Sequence, residues 1–275
     1  MVNADERRVV RHAPKLPRRK PAAHKGDFGT VVVVAGSATM PGAAILCARA
    51  ALRGGAGRVQ LGLPDDLLAI CIAAVPGAIG VGRGAALDAA LVDAAAIVLG
   101  PGLGVGADAR RLVARVLRRA RSPIVVDADA LNVLAPLRRP LRTSATAVLT
   151  PHPGEAARLL GTTAAEVQAD RMTAATTLQQ RSGAVVVLKG AGTIVCAADA
   201  TFTNRTGNPG LATAGSGDVL AGLLAACLAQ GMAPFDAACL SVDVHGRAGN
   251  RVAKRLSEAG LCAEDLPLAI AEELR

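Results

Sequence analysis

Short runs of β-branched apolar residues alternate along this 275-residue chain with longer runs rich in alanine and leucine. The short runs predict strands at 30–35, 58–62, 96–99, 123–126, 147–149, 184–188 and 193–197. The longer runs have a helical period and predict helices at 42–53, 65–73, 108–121, 153–160, 164–181, 218–229, 235–255 and 264–274. Strands that are apolar throughout and separated by helices indicate an α/β fold, a mostly parallel sheet covered by helices on both faces. No apolar run reaches the roughly 18 residues that a membrane span needs, so no membrane association is expected.

Positive charge is concentrated at the start of the chain. The formal net charge is +9, and residues 1–25 contain eight basic residues against two acidic ones. This segment lacks the apolar stretch of a signal peptide. We therefore predict a flexible basic leader at 1–25 and a single domain at 26–275. The charge left on that domain is too small to indicate a nucleic-acid surface.

Composition excludes several further classes of function. Three phenylalanines are the only aromatic residues, which disfavours base-stacking nucleic-acid modules and places any bound adenine between aliphatic side chains. The six cysteines form no C-x-x-C pair and lie mostly in apolar segments. They are therefore expected to be reduced core residues of a cytoplasmic protein, rather than disulfides or zinc ligands.

Glycine and polar residues follow five of the predicted strands. They occupy 36–43, 100–104, 127–132, 150–155 and 189–193. Ligands of open α/β sheets bind outside the carboxyl ends of the strands. The pattern therefore predicts one site at that edge of the sheet. It contains neither a complete G-x-G-x-x-G dinucleotide fingerprint nor a P-loop.

Several of these residues allow two interpretations. Asp127 and Asp129 could bind substrate or hydrated Mg²⁺, and Asp129 could instead cap a helix. His152, between two prolines, is expected to be held stiffly for a positioning role. Glu155 could be an ordinary first-turn carboxylate or could reach a metal–phosphate. Lys189, followed by two glycines, would offer a cation to a phosphate.

The stretch 204–222, NRTGNPGLATAGSGDVLAG, carries the strongest signal. Its glycines allow backbone N–H groups to point at an anion, and a predicted helix near Asp218 adds the positive end of its dipole. A carboxylate beside a bound phosphate is unfavourable by Coulomb's law. Asp218 is thus either a helix cap or a base for a hydroxyl that meets the phosphate.

With these residues assembled, the chain resembles the ADP-dependent NAD(P)H-hydrate dehydratases, carbohydrate-kinase-like members of the ribokinase superfamily. The matching motifs are GPGLG at 100–104, DADALN at 127–132, TPHPGE at 150–155, KGAGT at 189–193 and GNPGLATAGSGD at 207–218. The resemblance implies a ribokinase-like three-layer sandwich. It also implies a carbon–oxygen lyase that restores NADH or NADPH from the (6S) hydrates, with release of AMP and phosphate.

Roles for individual residues follow from the same resemblance. Asp218 would be the base, and Ala43, Gly104, His152 and Asp218 would contact the hydrated dinucleotide. Mg²⁺ would bridge the phosphates, and Glu155 is the best candidate among the residues for a protein ligand to it. The residues that would surround ADP are Lys189, Gly190, Ala191, Gly192, Thr193, Asn208, Gly210, Thr213, Gly215, Ser216 and Gly217. The family also implies a homotetramer and a separate NAD(P)H-hydrate epimerase in the same pathway.

Two rival functions share part of this pattern. A vitamin-precursor kinase of the same superfamily would have the glycine loop and the aspartate, but not TPHPGE together with GNPG. A nucleotide-sensing regulator would bind ADP without turnover, and substitution of Asp218 would leave its behaviour unchanged.

Overall fold

A computed structural model describes residues 7–274. Its single sheet has ten strands in the order β1-β10-β9-β8-β7-β6-β5-β2-β3-β4. Strand β9 runs antiparallel to both of its neighbours, and every other neighbouring pair is parallel. The strands are β1 (Arg8–Val10), β2 (Thr30–Val34), β3 (Arg58–Leu63), β4 (Ala78–Gly82), β5 (Ala96–Leu99), β6 (Ile124–Val126), β7 (Ala147–Leu149), β8 (Val185–Leu188), β9 (Ile194–Cys196) and β10 (Ala200–Thr203).

Helices cover both faces of this sheet. They are α1 (Pro41–Arg53), α2 (Leu68–Ala74), α3 (Ala85–Asp93), α4 (Ala107–Arg119), α5 (Asp129–Leu134), α6 (Pro153–Leu160), α7 (Ala164–Ala169), α8 (Arg171–Ser182), α9 (Ser216–Ala229), α10 (Pro234–Leu256) and α11 (Leu266–Glu273). Among the described residues, none of the helices has both the length and the apolar character needed to cross a bilayer.

The all-apolar strands divide their side chains between two cores. Along β2, Val31 and Val33 pack with α1, α2, α9, α10 and α11, whereas Val32 and Val34 pack with α3 to α8 on the other face. Both sets are fully buried, because successive side chains of a strand point to opposite faces. The observed fold is therefore the predicted α/β sandwich with a mostly parallel sheet.

All seven predicted strands are present, but the sequence pattern missed several elements. Strand β4 contains two glycines, and β1, β10, α3 and α5 are short, so their periodicity is weak. The helix predicted over 164–181 is two helices, α7 and α8, because Asp170 interrupts the helix and caps α8 by accepting a hydrogen bond from Thr173 N.

Part of the segment predicted as a flexible leader is fixed to the domain. Strand β1 pairs with β10, and the buried Arg7 donates hydrogen bonds to Ala197 O at 3.1 Å and to Gln179 Oε1 at 3.1 Å. A buried guanidinium with its donors satisfied anchors the chain at this point. Residues 1–6 lie outside the described part of the chain.

The sheet order locates the expected ligand crevice. From β2 the chain builds β3 and β4 on one side, and then β5 to β8 on the other. The carboxyl ends of β2 and β5 therefore flank a topological switch point, where open α/β sheets bind ligands. The segments after β2, β5, β6, β7 and β8 all reach this edge.

Candidate active site

A buried cluster of charged side chains lies at the carboxyl edge of the sheet. Lys189 follows β8, and its Nζ lies 2.8 Å from Asp127 Oδ1 and 3.8 Å from Glu155 Oε2. Asp127 is 1% exposed and Glu155 4%, so these charges interact in a medium of low dielectric. A Cβ added at Gly217 would lie 3.2 Å from Lys189 Nζ. The ammonium group therefore meets the first turn of α9.

Asp218 stands in that first turn and is partly buried. Burial and, to a smaller extent, the negative charge of Asp127 raise the pKa of its carboxyl to about 7, against the opposing effect of Lys189. A carboxyl with a pKa near neutrality can exchange a proton with a substrate hydroxyl under physiological conditions. This environment fits the predicted role of a base. The backbone N-cap of α9 is Gly215 rather than Asp218.

The two carboxylates of the DADALN motif point to different partners. Ala128 between them has φ +50°, a left-handed conformation that L-residues rarely adopt. Asp127 faces Lys189, whereas Asp129 Oδ2 accepts a hydrogen bond from Gly104 N at 2.8 Å. Asp129 thus binds the loop after β5 instead of capping a helix.

His152 and Glu155 form a reciprocal cap at the start of α6. His152 Nδ1 accepts hydrogen bonds from Gly154 N at 3.0 Å and Glu155 N at 3.4 Å, and Glu155 Oε2 accepts one from His152 N at 2.7 Å. Since Nδ1 accepts, the ring proton of neutral His152 is on Nε2. Burial and Lys189 lower the pKa of His152, which keeps the ring neutral. His152 therefore presents a hydrogen-bond donor to the site.

The loops that follow β2 and β5 meet near the charged cluster. A Cβ added at Gly102 would lie 2.9 Å from Ala43 Cβ, and Gly36 N donates to Pro101 O at 2.7 Å. The loops after β2 and β5 are thus in contact, and Asp129 fixes Gly104 beside them. The predicted residues Ala43 and Gly104 are therefore brought close to Asp129. We refer to these three residues, the cluster of Asp127, Glu155 and Lys189, and Asp218 together as the carboxylate crevice.

A cavity of about 830 Å³, which we call the glycine-loop pocket, is lined in part by Ser216 and Gly217 in the first turn of α9. Of the residues predicted to surround ADP, nine line it and two, Gly210 and Gly215, are not among its lining residues. Gly210 N donates a hydrogen bond to Asn208 Oδ1 at 2.9 Å within the same loop. The lining members are Lys189, Gly190, Ala191, Gly192, Thr193, Asn208, Thr213, Ser216 and Gly217, and His152 also reaches the pocket.

His245 on α10 is a pocket residue that the sequence pattern did not reveal. Its Nε2 lies 3.1 Å from Ser216 O and 3.3 Å from Ser216 Oγ, and burial lowers its pKa to about 4. The neutral ring donates a hydrogen bond from Nε2 to Ser216 O. This contact stabilises the first turn of α9, whose backbone N–H groups have no carbonyl partner within the helix. Nothing in the apolar helical pattern around His245 distinguishes it from a core residue.

The cluster contains oxygen ligands suited to Mg²⁺. Asp127 Oδ2 is buried and has no hydrogen-bond partner among the described residues. Within the same part of the chain, no three His, Cys, Asp or Glu side chains converge as a complete metal site. Mg²⁺ is commonly held by one or two carboxylates together with substrate phosphates, so an incomplete protein set is what such a site requires. The residues present therefore fit the ion.

Fold and site together define a ribokinase-like α/β protein with a cluster of charged side chains beside the first turn of α9. The profile of the family described as NAD(P)H-hydrate dehydratase matches residues 31–271. The chain belongs to this family, which confirms the resemblance drawn from the motifs.

Individual relatives agree with this assignment. The ADP-dependent (S)-NAD(P)H-hydrate dehydratase of Neisseria meningitidis is 43% identical over 94% of this chain and 91% of its own length. The bifunctional NAD(P)H-hydrate repair enzyme Nnr of Moorella thermoacetica is 41% identical over 92% of this chain. The chain spans about half the length of that relative, 50%.

Solved structures place the chain in the same fold. The ADP/ATP-dependent NAD(P)H-hydrate dehydratase of Bacillus subtilis, co-crystallized with ATP/Mg²⁺, has a TM-score of 0.85 and 32% identity, covering 94% of this chain and 93% of its own. A ribokinase of Arabidopsis thaliana, with a TM-score of 0.57 and 11% identity over 90% of this chain and 98% of its own, shares the fold alone.

Proposed function

We propose that this protein dehydrates (6S)-NADH-hydrate and (6S)-NADPH-hydrate to NADH and NADPH, with ADP as phosphoryl donor and AMP and phosphate as products. The observation that carries this function is the position of Asp218. Its carboxyl, with a pKa of about 7, interacts with the charges of Asp127 and Lys189, and it stands in the turn of α9 that lines the glycine-loop pocket through Ser216 and Gly217. The names of the Neisseria and Bacillus relatives support the same reaction.

The chemistry requires that a poor leaving group be converted into a good one. Asp218 accepts the proton of the ring C6 hydroxyl while the hydroxyl oxygen attacks the terminal phosphorus of ADP and the bond to the AMP oxygen breaks. The phosphate then leaves C6, driven by the lone pair of the ring nitrogen. Loss of a proton from C5 restores the double bond. Phosphoryl transfer and departure of phosphate both place charge on phosphate oxygens, which the N–H groups of the first turn of α9 would stabilise.

The glycine-loop pocket suits the nucleotide. Its backbone N–H groups near Gly217, the dipole of α9 and Lys189 Nζ all present positive charge to phosphates. The eleven residues named above from Lys189 to Gly217 are proposed to hold ADP. Gly210 and Gly215 would act by shaping the loop from which the others point.

The carboxylate crevice suits the nicotinamide end of the substrate. Ala43 and Gly104 leave room for a flat ring, because neither has a side chain beyond Cβ. His152 offers its Nε2–H to an acceptor atom of the substrate, such as a carboxamide or phosphate oxygen. Asp218 closes the crevice at the reacting carbon.

Mg²⁺ is proposed as the metal ion of the reaction, and it would neutralise phosphate charge during transfer. Asp127, through its unpaired Oδ2, and Glu155 would hold it. Glu155 also accepts a hydrogen bond from His152 N, so it would contribute through its remaining lone pairs.

The proposed activity is tested by incubating the protein with (6S)-NADH-hydrate, Mg²⁺ and ADP or ATP in parallel. Recovery of NADH absorbance with stoichiometric AMP and phosphate is expected with ADP. A stable phosphorylated product that does not yield NADH would show that the protein is a kinase instead. The same comparison run with the NADPH-hydrate measures the preference between the two substrates.

The family relationship also leads us to propose where the protein acts and how it assembles. We propose a cytoplasmic homotetramer that acts on free dinucleotide, without a nucleic-acid or membrane partner. All six cysteines are unpaired in the structure, and five are buried, as expected for a reducing compartment. The bifunctional name of the Moorella relative supports a second repair activity, an epimerase, on the same substrate. Light scattering on the purified protein measures the oligomeric state.

A further inference from the structure

Arg205 lies two residues after the end of β10 and lines the glycine-loop pocket. Strand β10 is two positions from β8, which carries Lys189. Neighbouring strands are about 4.8 Å apart, so the two cations leave the sheet roughly 10 Å from each other. Both cations line the same pocket, and they enter it from strands that are not neighbours.

The backbone on both sides of Arg205 is firmly held. Asn204 is buried, and its N donates to Thr193 O at 2.8 Å while its Nδ2 donates to Val242 O at 3.1 Å. Thr206 Oγ1 donates to Asp243 O at 3.0 Å and lies 3.0 Å from Asn204 Oδ1. These hydrogen bonds fix the backbone of residues 204–206 and therefore the position from which the Arg205 side chain starts.

The guanidinium of Arg205 is exposed and has no hydrogen bond or ion pair with any residue from 7 to 274. Lys189, in contrast, is already paired with Asp127 and Glu155. The free donor plane of Arg205 is therefore available to a ligand.

A bound nucleotide also places its purine base in this pocket. A nucleotide whose phosphates lay at the first turn of α9, beside Lys189, would place its base farther along the pocket, whose lining includes Arg205. The apolar lining includes Leu211, Leu220 and Val242, and no Phe, Tyr or Trp lines the pocket. Aliphatic side chains cover one face of a purine but offer no π contact to the other. A guanidinium plane can stack on a base, and Arg19 lies 3.8 Å over the Phe28 ring elsewhere in this molecule.

We propose that Arg205 stacks its guanidinium on the adenine of the bound nucleotide and so determines affinity for the adenosine part of ADP. This inference rests on the proposed function, because that function supplies ADP as the ligand. It differs from phosphate pairing in one respect: the contact is made to a group that adenosine, AMP and ADP share.

Calorimetric titration of the full-length protein with adenosine, AMP and ADP tests the proposal. Arg205→Ala is expected to weaken binding of all three ligands by a similar factor, about 5- to 30-fold. Arg205→Lys keeps the charge but has no plane, so it is expected to resemble the alanine variant. Arg205→Phe restores a stacking surface and is expected to recover most of the affinity. Arg118→Ala, an exposed arginine on α4, is the matched control and is expected to bind normally.

Two results would overturn the stacking role. Unchanged binding by Arg205→Ala is the first. The second is loss confined to ADP and rescued by lysine, which would assign the side chain to the phosphates. Hydrate turnover by the wild-type protein at saturating ADP is measured beside these titrations. Its absence would refute the proposed function, whereas normal turnover with an unaffected Arg205→Ala would refute only this inference.

Discussion

The carboxylate crevice and the glycine-loop pocket meet at one turn of α9 but are built from different materials. Besides Ala43 and Gly104, the crevice contains a buried cluster of carboxylates and a lysine whose charged atoms lie 2.8 to 3.8 Å apart. The pocket is lined mostly by glycines, other small residues and two neutral histidines, together with Lys189 and Arg205. Side-chain charges set the pKa of a base, whereas backbone N–H groups bind phosphate without titrating. The chemistry of this protein is therefore expected to be sensitive to side-chain charge in the crevice and to chain conformation in the pocket.

The largest effect is expected in the crevice, from Asp218→Asn. Removing the base should lower kcat by about 10²- to 10⁴-fold while ADP binding stays near the wild-type value, because the pocket is unchanged. Turnover of hydrate and calorimetric binding of ADP measure the two quantities separately. Asp108→Asn, at an exposed position on α4, is the control. A variant that retained full turnover would remove Asp218 from the mechanism.

The pocket is expected to respond to a change of backbone freedom at Gly215. This residue has φ +87°, and an added Cβ would lie 2.5 Å from Leu46 Cδ1. Gly215→Ala should raise KM for ADP roughly 5- to 30-fold, since a left-handed alanine costs about 1–2 kcal/mol and the turn must shift.

Gly231→Ala is the control that separates the general cost of a positive φ at alanine from an effect specific to the phosphate site. Gly231 has φ +85° with no atom near the added Cβ, and it lies beyond the C-terminal end of α9, whereas Gly215 precedes the turn that lines the pocket. It carries the same backbone cost, so stability should fall in both variants but KM for ADP only in Gly215→Ala. Equal KM values for the two would contradict a backbone-built phosphate site.

A third effect concerns the pH dependence of turnover. Asp218 acts in its deprotonated form, so kcat/KM of the wild-type protein should rise as pH increases through about 7. Asp127→Asn removes a negative charge that raises the pKa of Asp218, so the rise should move to lower pH. Full pH–rate profiles of the two proteins provide the measurement. A profile that does not move would mean that Asp127 and Asp218 are not electrostatically coupled.

The smallest effect is on stability and has the opposite sign to the effect on activity. The pKa of Asp218 is raised in the folded state, so its carboxyl contributes stability at low pH that is lost as pH rises through about 7. Asp218→Asn removes this loss. Its Tm should exceed that of the wild-type protein by roughly 2–4 °C near pH 8, with the difference shrinking near pH 5. Differential scanning calorimetry at both pH values gives the answer, and a difference independent of pH would contradict the raised pKa.

Much of this architecture was accessible from periodicity, because all-apolar strands and Ala/Leu-rich helices differ in length and composition. The pattern failed where an element was short or contained glycine, as in β4, or where it lay in a charged segment, as in β1. Strand β1 is stabilised by hydrogen bonds from Arg7 to Ala197 O and to side chains of α8. These acceptors are far away in the sequence, so the pattern around residue 7 does not predict them.

The site shows the same division. The motifs after β2, β5, β6, β7 and β8 could be placed at one edge because parallel strands end together. Pairing of Lys189 with Asp127 across 62 positions, and the support that His245 gives to Ser216, could not be foreseen. Both depend on which strands and helices become neighbours.

By itself, the sequence determined the alternation of strands and helices, the residue types at the strand ends and the family to which the chain belongs. Only the tertiary structure decided which charges are buried together and which face a cavity. The reason is physical: secondary structure follows from local periodicity and backbone preference, whereas a pKa or an ion pair depends on distance and on the exclusion of water. Those two quantities exist only after the chain has folded.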